Sequence, residues 1–311
     1  MLFRQNPSAE GVQRRDHHAM GALIRLGATF GFATMAALSK LAAQHGVATL
    51  EIALYRCLFA LPPIFVWIWL GPGLATIRTG RPGAHAVRSA LGFATMLATF
   101  AAIILLPLAD AATISFAAPL FATMLSAPLL REKIGRHRWA AIVLGLVGVV
   151  IVMQPGGESL PMLGLAVAVA GAAGTSLVTV TMRQIIATEP PSAIVFWFTF
   201  STALVAAILL PIIGERHDAV QWMLLLGIGL NGAFMQIMLT TSLRYAPVSV
   251  VAPIDYFQLI WATGFGWLIW SATPSLSTLV GGALIAGSGL YTLLRERGRP
   301  VTVAAEAEPT A

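Results

Sequence analysis

The sequence predicts an all-α integral membrane protein whose ten transmembrane helices form two inverted five-helix repeats. Hydrophobic residues fill 57% of the 311 positions and charged residues only 10%, whereas soluble domains carry about a quarter charged residues. Apolar runs recur ten times, and the chain can be aligned with itself so that five runs fall in each half. This composition excludes a soluble protein. The chain has no polar domain that could bind nucleic acid, so we expect no nucleic-acid partner despite the net charge of +6.

Ten candidate helices follow from apolar runs that end at glycine, proline or charged residues. A helix of about 20 residues crosses the roughly 30 Å hydrocarbon core of a lipid bilayer. The first 19 residues hold no apolar core, so we expect no cleaved signal peptide. The fifth run is short and needs residues from the neighbouring loops to cross the bilayer. The ten runs lie near residues 20–42, 47–70, 86–106, 110–130, 139–154, 161–182, 191–213, 220–243, 247–270 and 276–294.

The distribution of lysine and arginine predicts the orientation in the membrane. If the N-terminus is cytoplasmic, fifteen of these residues, including Arg88, fall in or beside the inner loops and tails. Only Arg216 falls in an outer loop. Cytoplasmic loops carry an excess of positive charge. We therefore predict a multi-pass protein of a bacterial-type inner membrane, with cytoplasmic tails at residues 1–19 and 295–311.

Cysteine and histidine placement argues against a metal site. The single cysteine, Cys57, lies in an apolar run, where a small buried side chain is its expected role. None of the histidines in loops or at span ends has a neighbour of metal-ligand type; they are His45, His85, His137 and His217. We predict no metal and no cofactor.

Self-alignment divides the chain into a first half at 20–154 and a second half at 161–294. A shift of 143 residues places residues 21–40 over 164–183, and a shift of 137 places Gly92 on Gly229. The sequence identity between the two halves is low, so the evidence for a repeat is that the matches follow one another in the same order. Because each half holds an odd number of spans, the second half must enter the membrane in the opposite sense. Inverted repeats are common among secondary transporters, whose substrate site lies at the repeat interface.

The sequence resembles the EamA-type members of the drug/metabolite transporter superfamily over residues 20–297. The most similar stretches are 106–139 and 243–270, and each carries a proline inside a helix, Pro119 and Pro253. The resemblance implies movement of small polar organic substrates without ATP, many of them outward and some inward. The absence of a GxxxxGK[ST] nucleotide-binding loop agrees with this.

The predicted function is export of amino acids or related metabolites by alternating access. Import of a nutrient such as riboflavin or S-adenosylmethionine is the alternative that the resemblance also implies. A duplicated channel or a non-transporting membrane scaffold is a further alternative. We do not expect an enzyme, because the polar residues inside the spans are scattered singly rather than clustered. Glycine pairs predict close helix packing but do not distinguish a neighbour in the chain from a second protomer, so no oligomeric state is predicted.

Asp255 is the first candidate site residue, because ionisable groups inside a membrane are costly and mark functional sites. It lies two residues after Pro253, which frees a backbone carbonyl at that depth. As a functional residue it would bind a substrate amine or a proton, which would make the proton the coupling ion. The alternatives are a structural ion pair or a capped kink.

Arg56 is the second candidate, about ten residues into the second span. A guanidinium binds a carboxylate bidentately, which predicts an anion clamp in the cavity. The alternative is an ion pair with Glu51, five residues earlier. Further candidates for substrate contact are the polar Asn231, Gln236, Gln258 and Thr99 and the aromatic Tyr55, Tyr256 and Trp197.

Overall fold

The computed structural model describes residues 7–130, 135–153, 160–186 and 188–296, and these ranges contain helices and no strand. Among these residues, eight segments are long and apolar enough to cross a membrane. The all-α, multi-pass character predicted from composition is therefore confirmed. Residues 1–6 and 297–311 of the predicted tails lie outside the described residues, whereas residues 7–19 belong to the first helix.

Twelve α-helices follow one another along the described chain. In order they are α1 Pro7–Gln44, α2 Thr49–Leu70, α3 Pro82–Leu105, α4 Leu108–Ser115, α5 Ala118–Leu130, α6 Arg136–Met153, α7 Met162–Ile186, α8 Pro191–Ile213, α9 Ala219–Tyr245, α10 Val248–Val251, α11 Phe257–Trp270 and α12 Leu276–Glu296. Short 3₁₀ segments occupy Leu74–Ile77 and Ala252–Tyr256.

The two stretches with an internal proline are both interrupted. The first separates into α4 and α5, with Pro119 as the second residue of α5. The second becomes α10, a 3₁₀ turn that contains Pro253, and α11. Proline has no N–H to donate and crowds the preceding turn, which explains the breaks. The predicted ninth span, 247–270, is therefore not one continuous helix, and α11 alone has 14 residues.

Contacts between helices cross from one half of the chain to the other. Helix α1 packs against α9, and α7 packs against α3; α1 also contacts α11, and α7 contacts α5. Helices α2 and α8 pack together, as do α6 and α12, and α4 and α11. The interior between the halves is therefore lined by helices from both.

Helices α6 and α12 approach through their backbones. A methyl group at Gly281 would lie 2.5 Å from the carbonyl oxygen of Gly148 and 2.5 Å from Cγ2 of Val152. Only glycine permits this distance, as expected for helix contacts in membranes, where small residues let backbones meet.

Candidate functional site

Three adjoining cavities lie between the halves. The wide cavity has a volume of about 600 Å³, the deep cavity about 250 Å³ and the side pocket about 170 Å³. Phe32 and Thr175 line all three, so the cavities share walls. The wide cavity extends to the end of α7 at Ile186 and the start of α8 at Pro191, on the side where α1 begins.

Four of the predicted site residues line these cavities. Arg56 lines the wide cavity and the side pocket, and Gln236 lines the wide cavity. Thr99 lines the side pocket and the deep cavity, and Gln258 lines the deep cavity. These four side chains come from α2, α9, α3 and α11, which means that both halves contribute to the same space.

The guanidinium of Arg56 has only weak acceptors around it. Its Nε donates to Sδ of Met35 at 3.2 Å, and its Nη1 donates to Sδ of Met96 at 2.9 Å. Thioether sulfur is a weak hydrogen-bond acceptor. The alternative pairing with Glu51 is not formed. Residues five apart on a helix lie about 140° apart around its axis, so the two side chains point in different directions.

Arg88, which the sequence places among the cytoplasmic positive charges, lies among the candidate site residues. It lines the wide cavity and the side pocket, and its guanidinium carbon lies 4.7 Å from the centroid of the Phe198 ring. Its Nε and Nη1 atoms are buried and have no hydrogen-bond partner. A methyl group at Gly92 would overlap both Arg88 and Phe198. In the sequence, the signal for a buried Arg88 was the glycine one helical turn later.

Asp255 forms an ion pair with Arg25. The Nε atom of Arg25 donates to Oδ1 of Asp255 at 2.5 Å, and Nη2 donates to Oδ2 at 2.6 Å. The pair joins α1 to the 3₁₀ turn that precedes α11, and Arg25 lines the wide cavity. Of the roles considered for Asp255, the structure therefore shows the ion pair, which lies at the edge of the wide cavity.

The remaining four candidates do not line any of the three cavities. Trp197 donates its indole N–H to the carbonyl of Ile77 at 2.9 Å. Tyr256 packs on Phe116, with ring centroids 4.9 Å apart. The Oδ1 atom of Asn231 is buried and without a hydrogen-bond partner.

Tyr55 belongs to an aromatic cluster at the other end of the molecule from Ile186 and Pro191. Its ring centroid lies 5.6 Å from that of Phe59, 5.2 Å from that of Trp222 and 5.6 Å from that of His217. It is buried by these neighbours rather than exposed to the cavities. Its neighbour Arg56 faces the cavity, and consecutive helical residues point about 100° apart.

Two glutamate clusters connect the halves at opposite ends of the molecule. Glu51, at the start of α2, accepts the backbone N–H of Glu215 at 2.9 Å, and His217 Nε2 lies 3.4 Å from its Oε1. Glu189, just before α8, accepts the Thr79 hydroxyl at 2.8 Å and the Gly80 N–H at 3.2 Å.

The hydrogen bond from Thr79, together with that from Gly80, lowers the pKa of the Glu189 carboxyl below its usual range. Nε2 of His85 lies 3.6 Å from Oε2 of Glu189, and both side chains are buried. Glu189 is therefore held as a carboxylate between the two halves.

Further contacts close the end at which α1 finishes. Trp270 Nε1 donates to Oε1 of Gln44 at 2.9 Å, and Gln221 Nε2 donates to the carbonyl of His45 at 2.6 Å. Lys40 donates to the carbonyl of Leu106 and lies over the Trp270 ring. The wide cavity lies away from this closed end.

Metal binding finds no support in the part of the chain that the structure describes. Across those residues, no group of three or more histidine, cysteine, aspartate or glutamate side chains is placed to hold a metal ion.

Comparison with known proteins gives two matches to one family along the chain. The model of the EamA-like transporter family matches residues 19–154 and 162–294. The pseudopaline exporter CntI of Pseudomonas aeruginosa is 30% identical over 272 residues, which cover 85% of this chain and 93% of that protein. An S-adenosylmethionine uptake transporter of Rickettsia felis is 25% identical over 79% of this chain and 83% of its own length. A solved crystal structure shares the fold with a TM-score of 0.59 at 22% identity, over 90% of this chain and 98% of the other.

Proposed function

The chain belongs to the EamA-like transporter family, and on that premise we propose that it exports amino acids or related small metabolites by alternating access. The observation that carries the proposal is the wide cavity of about 600 Å³, which both halves line and which contains charged side chains. Ionisable groups inside a membrane protein mark substrate pathways. The substrate pathway therefore crosses a multi-pass membrane protein that the lipid bilayer surrounds.

The two halves, 20–154 and 161–294, act as inverted five-helix repeats that together contribute ten membrane segments. The packing pattern supports this, because exchanging the first half for the second converts the α1–α9 contact into the α7–α3 contact. The same exchange converts α1–α11 into α7–α5 and leaves the α2–α8 and α6–α12 contacts in place. The family model also matches once in each half.

The protein lies in the inner membrane with both termini in the cytoplasm, as the excess of inner lysine and arginine indicates. In that orientation the wide cavity extends toward the cytoplasm. The contacts of Trp270 with Gln44 and of Gln221 with His45 close the outer end. A cavity that reaches the cytoplasm is the state in which an exporter receives its substrate.

The substrate contacts Arg56, Gln236, Thr99 and Gln258, the predicted residues that line the cavities. Asp255 acts through its ion pair with Arg25 rather than as a direct ligand. A proton that binds Asp255 would release Arg25 into the wide cavity, which gives proton coupling a physical route. The packing of Tyr55, Tyr256, Trp197 and Asn231 against helices of the other half suits roles in closing the pathway.

Paired intracellular and extracellular metabolite profiling tests the proposal. A deletion strain, a strain that overexpresses the protein and a strain that overexpresses Arg56→Gln are compared at equal protein levels. We expect one class of compound to be retained inside the deletion strain and enriched outside the overexpressing strain, with the enrichment lost in Arg56→Gln.

The reverse pattern would establish import, the direction in which the S-adenosylmethionine uptake transporter of Rickettsia felis works. In that case a nutrient stays unconsumed in the medium of the deletion strain. A profile identical in all strains would contradict transport and favour a scaffold.

A further inference from the structure

The wide cavity and the side pocket carry more positive charge than the protein neutralises. Arg25, Arg56 and Arg88 line the wide cavity, and no aspartate or glutamate is among its described lining residues. The charge of Arg25 is matched by Asp255. Arg56 and Arg88 have no carboxylate within 4.0 Å among the residues that the structure describes. Two positive charges at the centre of the molecule are therefore without a counter-charge.

The hydrogen-bond donors of these two arginines remain available to a stronger acceptor. Arg56 donates to the thioethers of Met35 and Met96, and Arg88 Nη2 lies 4.0 Å from the thioether of Met182. The Nε and Nη1 atoms of Arg88 have no partner. Methionine side chains are flexible and thioethers accept weakly, so an oxyanion can displace them without loss of a strong bond.

Threonine hydroxyls on the same walls offer the opposite chemistry. Thr95 and Thr99 on α3, and Thr175 and Thr179 on α7, each donate their proton to the carbonyl four residues earlier. With the proton used inside the helix, each hydroxyl oxygen is left as an acceptor. Such oxygens suit the N–H groups of a ligand rather than its oxyanions.

Building on the proposed function, we infer that the substrate is an amino-carboxylate, with two carboxylates held by Arg56 and Arg88 and an amino group facing the threonine oxygens. A carboxylate presents two oxygens that match the planar fork of a guanidinium. Two carboxylates supply the two counter-charges that the cavity lacks. Charge inside a membrane is costly when unpaired, which explains why an anion would be favoured over neutral or cationic solutes.

Inside-out membrane vesicles that contain the overexpressed protein test this inference. The vesicles are incubated with an aqueous extract of wild-type cells, and the accumulated compounds are identified by mass spectrometry and grouped by acidic groups. We expect enrichment of compounds with two or more carboxylates and an amine. Arg56→Gln and Arg88→Gln lower their initial rate of accumulation at least tenfold, and Arg88→Lys lowers it less because an ammonium keeps the charge without the fork.

The matched control is Arg136→Gln, which removes the same charge from an exposed arginine at the start of α6 that lines none of the three cavities. It is expected to transport as the wild type does. Accumulation of neutral, cationic, monocarboxylate or phosphate compounds would overturn the carboxylate assignment and leave transport standing. Accumulation of nothing at all would instead overturn the proposed function.

Thermal unfolding of the purified protein without substrate separates a binding role from a structural one. If Arg88 serves a ligand, its unpaired charge destabilises the empty protein, and Arg88→Gln raises the melting temperature by a few degrees. If Arg88 is a structural residue that holds α3 against Phe198, the same substitution lowers the melting temperature, and the inference fails.

Discussion

Glu51 and Glu189 each accept a backbone N–H from a loop of the other half, at opposite ends of the molecule. Glu51 lies at the start of α2 in the first half and accepts a backbone N–H from the loop between α8 and α9. Glu189 lies just before α8 in the second half and accepts a backbone N–H from the loop between α2 and α3. Each carboxylate also faces the Nε2 atom of a histidine, His217 and His85 respectively. The same contact therefore joins the halves at both ends.

An alternating-access cycle needs contacts at each end that form and break. Because each glutamate takes its partners from the other half, movement of one half relative to the other would break these contacts. The two clusters are thus the places where a change of one side chain should alter the balance between conformations without touching the cavity.

Glu189→Gln is expected to lower stability in a way that depends on pH. The pKa of Glu189 is lowered in the folded state, so its carboxylate stabilises the fold above the unfolded value of about 4.3. This contribution is lost as the pH falls through the lower folded pKa. The difference in melting temperature between wild type and variant should be present at pH 7 and shrink below about pH 4.

Glu215→Gln is the control for this experiment, because the Glu215 side chain is exposed. It should show little difference from wild type at any of these pH values. A Glu189→Gln difference that is absent at pH 7, or that persists undiminished well below pH 4, would contradict the geometry of the cluster.

The Arg25–Asp255 ion pair is expected to show a coupling energy in a double-mutant cycle. Arg25→Gln and Asp255→Asn each leave one charge without its partner, and the double variant leaves none. We expect the double variant to be more stable than the sum of the single effects predicts, by about 1–2 kcal/mol. SDS-induced unfolding in mixed micelles measures the four free energies. Additive single effects would mean that the bidentate contact contributes nothing.

Transport by the same variants separates the structural and functional roles of Asp255. Asp255→Asn is expected to remain folded and to lose most of its transport, because an unpaired Arg25 faces the wide cavity. Normal transport by this variant from pH 5 to pH 8 would make the ion pair purely structural and exclude Asp255 as the proton site.

Gly281→Ala is expected to destabilise the protein by about 1–3 kcal/mol, because overpacking forces backbones apart. The added methyl group would lie 2.5 Å from the carbonyl oxygen of Gly148, which is backbone and cannot rotate away. Gly287→Ala on the same helix meets no atom within 4 Å and should cause no loss. SDS-induced unfolding of both variants gives the comparison. Equal stability would show that α6 and α12 do not approach as closely as described.

The fold was predictable because composition and proline placement act locally. Apolar runs longer than a membrane core must form helices, since no water is present to satisfy the backbone. Pro253 marked the break that separates α10 from α11. The sequence did not reveal that this break would leave α11 with only 14 residues, because the length of the 3₁₀ turn depends on tertiary packing.

The site was only partly predictable, because the direction in which a side chain points depends on helices that are distant in the sequence. Asp255 and Arg25 are 230 residues apart, so no local pattern could pair them. Tyr55 and Arg56 are neighbours, and which of them faces the cavity follows from where α9 packs. Arg88 was missed because counting positive charges near loops treats every arginine near a span end as exposed, whereas Gly92 makes room for this one inside.

Cysteine accessibility provides a test of the side toward which the wide cavity extends. The chain has one cysteine, buried Cys57, so Cys57→Ala gives a background without thiols. Thr179→Cys in this background introduces a thiol on the wall of the wide cavity, at an exposed position of α7. An impermeant maleimide should label it at least tenfold faster in inside-out vesicles than in cells whose outer membrane has been permeabilised. His45→Cys, at an exposed position beyond the closed end, should show the opposite preference. If both thiols are labelled faster from the same side, the proposed orientation or the proposed direction of the cavity is wrong. If Thr179→Cys is labelled faster from outside, the cavity extends outward, and the protein is in the state that receives an imported substrate.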